Sequence, residues 1–184
     1  MLNQEEKDFL LKLSRGAIED SLKSKESNIS DVPESLMERG ASFVTLFFDG
    51  KPRWSMGALK AHRELYLDVL HNALAAASED PRFDAVRKED LDKILIEISV
   101  IFGLKELKYE SEEGLLSQIE GGKHGVIVKK SGRVGTLLPM MWEKISDKID
   151  FLNNICIKMG FSVNAWRDKA DILVYEVESF KEQR

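Results

Sequence analysis

Two stretches of β-forming residues joined by Asp49-Gly50 constrain the fold of this chain more than any other feature. Ser42 to Phe48 is rich in β-branched and aromatic residues, and the sequence returns through Lys51 to Met56. Asp-Gly between two such stretches is typical of a two-residue hairpin turn, because both turn positions require a positive φ. The sequence therefore predicts an antiparallel hairpin here.

The register of this hairpin predicts which side chains face the core. With a regular two-residue turn, Thr45 lies opposite Trp54, and side chains alternate between the two faces of the strand. Trp54 and Met56 should then point inward. Arg53 and Ser55 should share the opposite, more polar face.

The rest of the chain alternates between helical and extended patterns. The predicted elements are a helix after Asn3, a short helix from Pro33 to Gly40, a helix over 62–78, a strand over 93–102, a second hairpin over 126–138, a helix from Ser146 to Met159 and a strand over 172–177. Because helices and hairpins are intermixed without a repeated strand-helix-strand spacing, the predicted class is α+β.

Length and composition predict one independently folding chain. The 184 residues allow one large domain or two small lobes, and no linker rich in Pro, Gly or Ser divides them. The apolar fraction of 43% and the charged fraction of 32% are ordinary for a globular protein. A single cysteine, Cys156, cannot form an intramolecular disulfide, and no signal peptide is recognisable at the start, so we expect a cytoplasmic protein.

Charge and hydropathy narrow the class of partner. The net charge of −5 argues against broad binding to nucleic acid, which requires a basic surface. No apolar stretch approaches the roughly 20 residues that a membrane-spanning helix needs. The sequence therefore favours protein or small-molecule partners.

The hexad from Pro52 to Gly57 resembles a family signature that usually reads Leu-Arg-Gly-Cys-Ile-Gly. The signature is that of the AMMECR family, also called AmmeMemoRadiSam system protein A. Arg53 and Gly57 match it, whereas tryptophan, serine and methionine replace its glycine, cysteine and isoleucine. Further similar stretches are Glu79 to Phe83, Ile96 to Val100, Gly122 to Val128 with Leu137, Leu138 and Pro139, and Phe151, Leu152, Cys156, Lys158 and Gly160 with Trp166.

The resemblance implies a single AMMECR-like domain over residues 1–184. It implies two unequal, interleaved lobes with small antiparallel sheets flanked by helices, and it puts the hexad near a groove between them. It also implies two partners, a Memo-like protein and a radical-SAM protein. We predict no cofactor for this chain.

Arg53 is the leading candidate for a ligand-binding residue. Its guanidinium could clamp a carboxylate or a phosphate, or it could pair with an acid of the protein such as Glu97. Asp80 and Arg82 could reach the groove from the loop after a helix, or Asp80 could bond nearby amides in a local turn. Both interpretations of each residue stay open at this stage.

Other polar residues have weaker patterns. His124 could act as an acid or base, although its glycine-rich surroundings equally indicate a loop. Ser55 lacks a neighbouring base, which a serine nucleophile needs. Glu64, Asp68 and His71 share one helical face, yet a solvated surface is the expected explanation, so we predict no metal site.

These residues support two hypotheses of function. In the first, the chain is an accessory protein that binds a small anionic ligand or a partner peptide in the groove, with Arg53 as its main polar contact and Ser55 and Gly57 beside it. In the second, it is an enzyme of RNA or cofactor modification that uses Arg53, Asp80, Glu97 and His124.

Cys156, inside a predicted helix, is expected to be buried and unreactive.

Overall fold

The computed structural model describes residues 1–25 and 27–183, which form helices and antiparallel strands. The predicted α+β class is confirmed. The chain divides into two units: Met1–Ile101 with the residues from Glu178 onward, and Phe102–Val177. In the part of the chain that is described, no helix is both long enough and apolar enough to cross a membrane.

The first helix of the first unit, α1 (Gln4–Leu22), begins where the sequence predicts. The Asn3 side chain accepts a hydrogen bond from the amide of Glu6 at 2.9 Å, and the Glu6 carboxylate accepts one from the amide of Asn3 at 2.7 Å. This reciprocal arrangement satisfies two amides that have no partner within the helix. The buried side of α1 includes Leu10 and Ile18.

The predicted short helix up to Gly40 is wrong beyond Met37. A 3₁₀ turn covers Glu34–Met37, and strand β1 (Arg39–Phe48) already begins at Arg39. Gly40 lies within β1, opposite Arg63, and Leu65 packs against its backbone: a β-carbon at Gly40 would lie 2.8 Å from Leu65 Cδ1.

Strand β1 is the centre of the sheet of the first unit. It pairs antiparallel with β2 (Lys51–Gly57) on one side and with β4 (Ile94–Glu106) on the other, while its first residues pair with the short β3 (Arg63–Glu64). Asp49 and Gly50 both have positive φ, 48° and 77°, so the predicted hairpin turn is confirmed. Strand β2 is the edge of this sheet.

The predicted register of the hairpin holds only beside the turn. Phe47 pairs with Pro52 as expected, but Leu46 then pairs with Trp54, and Thr45 with Ser55. A bulge therefore leaves Arg53 without a partner residue across the ladder. The residues of a two-residue turn do not predict such an insertion, because the bulge lies farther along the strand.

Helix α2 (Leu65–Ser78) packs on the buried face of this sheet. It begins at Leu65, three residues after the predicted start, because the preceding residues form β3. The core of the unit combines this helix with α1 and the strands. Its buried members include Leu10, Ile18, Val44, Leu46, Trp54, Val69, Ala73, Ile96 and Ile98.

Asp68 on α2 contradicts the expected solvated face. Its side chain is 1% exposed and accepts hydrogen bonds from the amide and hydroxyl of Ser42 and from the Asn72 amide group, at 2.8–2.9 Å. These bonds join α2 to β1 within the core. A helical projection missed the contact because it shows which side chains share a face, but not which polar group lies opposite.

The second unit contains the second predicted hairpin and two helices. Its elements are α3 (Glu112–Gln118), β5 (Gly125–Lys130), β6 (Arg133–Leu137), α4 (Lys148–Lys158) and most of β7 (Asp171–Lys181). Strand β5 pairs antiparallel with β6 and with β7. Helix α3 is an element that the sequence analysis did not predict.

Helix α4 differs from its prediction at its start. Asp147, not Ser146, caps it, accepting a hydrogen bond from the amide of Asp150 at 2.9 Å. It ends as expected: Gly160 has a φ of 80°, and the amide of Phe161 bonds back to the carbonyl of Cys156.

Candidate anion-binding site

The bulge in β2 places Arg53 against three aromatic rings. Its guanidinium carbon lies 4.7 Å from the ring centre of Trp54 and 5.4 Å from those of Phe48 and Phe83. Trp54 in turn makes edge-to-face contacts with both phenylalanines. An arginine surrounded by ring faces is favoured electrostatically and loses much of its freedom to move.

Arg53 has no counter-ion among the residues that the structure describes. Its Nε is buried without a hydrogen-bond acceptor. Within residues 1–25 and 27–183, no carboxylate forms an ion pair with its guanidinium, so the proposed pairing with Glu97 is wrong. An unsatisfied buried donor on a charged group is unfavourable, and an anion from outside the chain would relieve it.

Two further cations contact the same rings. The guanidinium carbon of Arg82 lies 5.5 Å from the ring centre of Phe83, and Nζ of Lys93 lies 5.6 Å from that of Phe48. Arg53 thus shares one ring with each of them. We call Arg53, Arg82 and Lys93, with the rings of Phe48 and Phe83, the cationic cluster.

Asp80 anchors the loop that carries part of this cluster. Its buried carboxylate accepts two hydrogen bonds from the Arg82 guanidinium, at 2.7 and 2.9 Å, and one from the amide of Ser55 at 2.9 Å. The hydrogen bonds from Arg82 hold the pKa of Asp80 well below its usual range, and the Ser55 amide lowers this pKa further. Asp80 is therefore ionised and fully engaged within the protein.

Ser55 and Gly57 lie on the other face of β2. The Ser55 hydroxyl is 3.0 Å from that of Thr45, whereas Arg53 contacts the aromatic rings, so the predicted shared face of Arg53 and Ser55 is wrong. The bulge is the reason. Gly57 lets Phe43 pack on bare backbone, because a β-carbon there would lie 2.2 Å from Phe43 Cδ1.

Glu97 lies opposite Thr45 on the neighbouring strand β4. Burial raises the pKa of Glu97, and the charge of Lys181 only partly offsets this. Lys181 places its Nζ 3.1 Å from the ring centre of Phe47. Glu97 thus lies in register with Thr45, and the charge of Lys181 acts on its carboxylate.

His124 belongs to the second unit. Its Nδ1 accepts a hydrogen bond from the amide of Glu120 at 3.0 Å, and its carbonyl accepts one from Trp142 Nε1 at 2.6 Å. Both bonds stabilise the loop before β5. The other candidate residues all belong to the first unit: Arg53, Ser55, Gly57, Asp80, Arg82 and Glu97.

The described residues contain no cluster of metal ligands, and the thiol of Cys156 is buried. Residues 1–25 and 27–183 contain no group of three His, Cys, Asp or Glu side chains placed to hold a metal ion. Cys156 is buried on α4, and burial raises the pKa of its thiol, so it is mostly protonated at neutral pH.

Sequence reasoning missed the aromatic half of the site. Phe83 belongs to the stretch that resembles the family, and Phe48 ends β1, but neither position has a pattern that indicates contact with arginine. The sequence likewise predicts Lys93 only as the start of a strand. These residues meet Arg53 through tertiary packing.

Comparison with known proteins identifies close relatives over nearly the whole chain. The family model described as AMMECR1 matches residues 11–180. The chain is 33% identical over 177 residues to the protein NEQ441 of Nanoarchaeum equitans, covering 94% of this chain and 98% of that protein. It is 35% identical over 189 residues to a protein of Methanosarcina mazei, covering 100% and 94%.

A solved structure has the same fold. The crystal structure of the uncharacterized protein PH0010 from Pyrococcus horikoshii is similar to this chain with a TM-score of 0.91 and 29% identity. The similarity covers 99% of this chain and 94% of that one.

Proposed function

The chain belongs to the AMMECR1 family, and we propose that it is a cytoplasmic accessory protein that binds an anionic group at Arg53. The ligand is a small molecule with a carboxylate or phosphate, or an acidic residue of a partner peptide. The Memo-like and radical-SAM proteins are the candidate sources of such a peptide. Cytoplasmic location and both partners are part of the proposal.

One observation carries this proposal: Arg53 is fixed by three rings and lacks a counter-ion within the described chain. Most partly buried arginines donate to carboxylates or carbonyls of their own protein. Here the rings orient the guanidinium without satisfying its hydrogen-bond donors. This arrangement supports binding of an external anion, since a preorganised fork loses little entropy on binding.

The contacts of Asp80 and Ser55 favour binding over catalysis. The Asp80 carboxylate is already shared between Arg82 and the Ser55 amide, and its lowered pKa makes it a poor proton carrier near neutral pH. The Ser55 hydroxyl bonds to Thr45, which is not a base. Glu97 also belongs to the enzyme hypothesis, and burial raises its pKa, which suits an acid or a base.

The test is binding of inorganic phosphate and acetate to the purified full chain. We expect a phosphate-dependent shift of the Arg53 side-chain NMR signal in the wild-type protein, and loss of phosphate binding in Arg53→Ala. Lys12→Ala is the matched control, because it removes one exposed positive charge from α1 without touching the three rings. The control should bind as the wild type does.

The Arg53→Lys substitution tests whether binding depends on the planar arrangement of the guanidinium donors or only on the positive charge. A lysine keeps the charge but cannot donate two parallel hydrogen bonds, so we expect binding weaker by about tenfold, equivalent to roughly 1.4 kcal/mol. The proposal would be refuted if the wild type and Arg53→Ala bound phosphate equally well while circular dichroism showed that both proteins are folded. Binding of an acidic peptide but not of phosphate would assign the site to a protein partner.

A further inference from the structure

We propose that the cationic cluster takes an anion with two or more linked phosphate groups, such as pyrophosphate, in preference to a single phosphate or carboxylate. This inference rests on the proposed function of Arg53 and names its ligand class. The evidence is the number of cations that share the aromatic rings, together with the absence of any ion pair to Arg53 or Lys93 among the described residues.

The rings bring the three cations close together. Arg53 and Arg82 both contact the ring of Phe83, at 5.4 and 5.5 Å, and Arg53 and Lys93 both contact that of Phe48, at 5.4 and 5.6 Å. The distance from Arg53 to Arg82, or from Arg53 to Lys93, therefore cannot exceed the sum of the two distances to the ring centre that they share. Linked phosphate groups extend over more of that distance than a single carboxylate does, so they can reach more than one of the cations.

Of the acids near the cluster, Asp80 forms an ion pair with one of the three cations and so balances only part of this charge. Asp80 is paired with Arg82, whose side chain is nevertheless 59% exposed and retains donors that do not face Asp80. Among the described residues, no ion pair is formed by either Arg53 or Lys93. Two uncompensated cations beside a third favour a multiply charged ligand.

The loop that carries Arg82 and Phe83 is fixed to the strand that carries Arg53. Asp80 bonds to the Ser55 amide, and Phe83 packs edge-to-face on Trp54, with ring centres 6.4 Å apart. The loop that carries Arg82 is therefore held beside the strand that carries Arg53, and Lys93 joins them through its contact with the ring of Phe48. A preorganised set of donors selects a ligand by the spacing of its anionic groups.

The experiment compares inorganic phosphate with pyrophosphate by calorimetry, at matched ionic strength and without divalent metal. We expect pyrophosphate to bind the full-length wild type at least about tenfold more tightly than phosphate, a difference of roughly 1.4 kcal/mol. Lys93→Ala should remove most of this preference while changing phosphate affinity less than about twofold. Lys12→Ala should retain the preference, which separates the cluster from general surface charge.

The outcomes distinguish this inference from the proposed function. Equal binding of the two anions, with both lost in Arg53→Ala, overturns the inference and leaves the Arg53 site intact. A preference for pyrophosphate that persists unchanged in Lys93→Ala also overturns it. Failure of the wild type to bind either anion, or binding of both that is unaffected by Arg53→Ala, overturns the inference together with the proposed site.

Discussion

The carboxylate of Asp80 accepts a hydrogen bond from the backbone amide of Ser55 at 2.9 Å, which ties the loop after α2 to the bulged strand β2. The same carboxylate also binds the guanidinium and the amide of Arg82. A single buried charge therefore fixes both the loop and the strand on which the cationic cluster is built.

Replacing this charge should destabilise the protein. We expect Asp80→Asn to lower the free energy of unfolding by about 2 kcal/mol, because it weakens several charge-assisted hydrogen bonds at a buried position. Urea denaturation at pH 7 measures the change. Glu79→Gln, which alters the exposed neighbouring acid, should change stability by less than about 0.5 kcal/mol. Equal effects of the two substitutions would contradict the role of Asp80.

The Asp80 link should also weaken in acid. Because the pKa of Asp80 is lowered by folding, its contribution to stability is complete above the ordinary aspartate pKa of about 3.9 and is lost as the pH falls toward the folded-state value. The stability difference between wild type and Asp80→Asn should therefore be constant from pH 7 to about pH 5 and smaller at about pH 3. A difference that does not change with pH would show that ionisation of Asp80 is unimportant.

Gly57 should be intolerant of a side chain. A β-carbon would lie 2.2 Å from Phe43 Cδ1 and 2.6 Å from the Ser42 carbonyl oxygen, so we expect Gly57→Ala to cost about 1–3 kcal/mol. Gly16 in α1 is the matched control, because a β-carbon there meets nothing within 4 Å. Gly16→Ala should stabilise the protein by about 0.5–1 kcal/mol through helix propensity.

A double-mutant cycle identifies the cause of the Gly57 effect. In a Phe43→Ala background, Gly57→Ala should cost less than in the wild type, because the displaced ring is gone. Thermal or urea unfolding of the four proteins supplies the coupling energy. Strict additivity would mean that packing of the Phe43 ring does not explain the glycine.

Glu97 should oppose folding when it is ionised. Its pKa is raised by burial, so the unfavourable contribution appears as the pH rises from the ordinary glutamate value of about 4.3 through the raised value. We expect Glu97→Gln to be more stable than the wild type at pH 8 and nearly equal to it at pH 4. Glu110→Gln, at an exposed position, is the matched surface substitution. A destabilised Glu97→Gln at pH 8 would instead assign the carboxylate a stabilising partner.

Cys156 should be unreactive in the folded protein. Burial raises the pKa of its thiol and blocks access, so a thiol-specific reagent should modify it only in denaturant. Cysteine introduced at the exposed Ser162, as Ser162→Cys, supplies a reactive control in the native state. Rapid labelling of the native wild type would contradict the buried position of Cys156.

Local patterns predicted those elements whose ends have their own chemistry. Asn3 with Glu6 located the start of α1, Asp49 with Gly50 located the hairpin turn, and Gly160 located the end of α4. In each case the decisive interaction lies within a few residues. The same reasoning failed for Gly40, which pairs with Arg63 inside a strand and leaves room for Leu65 to pack on its backbone.

The sequence by itself determined the α+β class, the hairpin and the presence of an arginine within a family-like hexad. Only the tertiary structure decided the contacts of that arginine. The bulge between Phe47 and Trp54 shifts the register, and the loop after α2 brings Phe83 to Arg53. Both depend on side chains that are distant in sequence, so neither local propensity nor strand alternation could predict them.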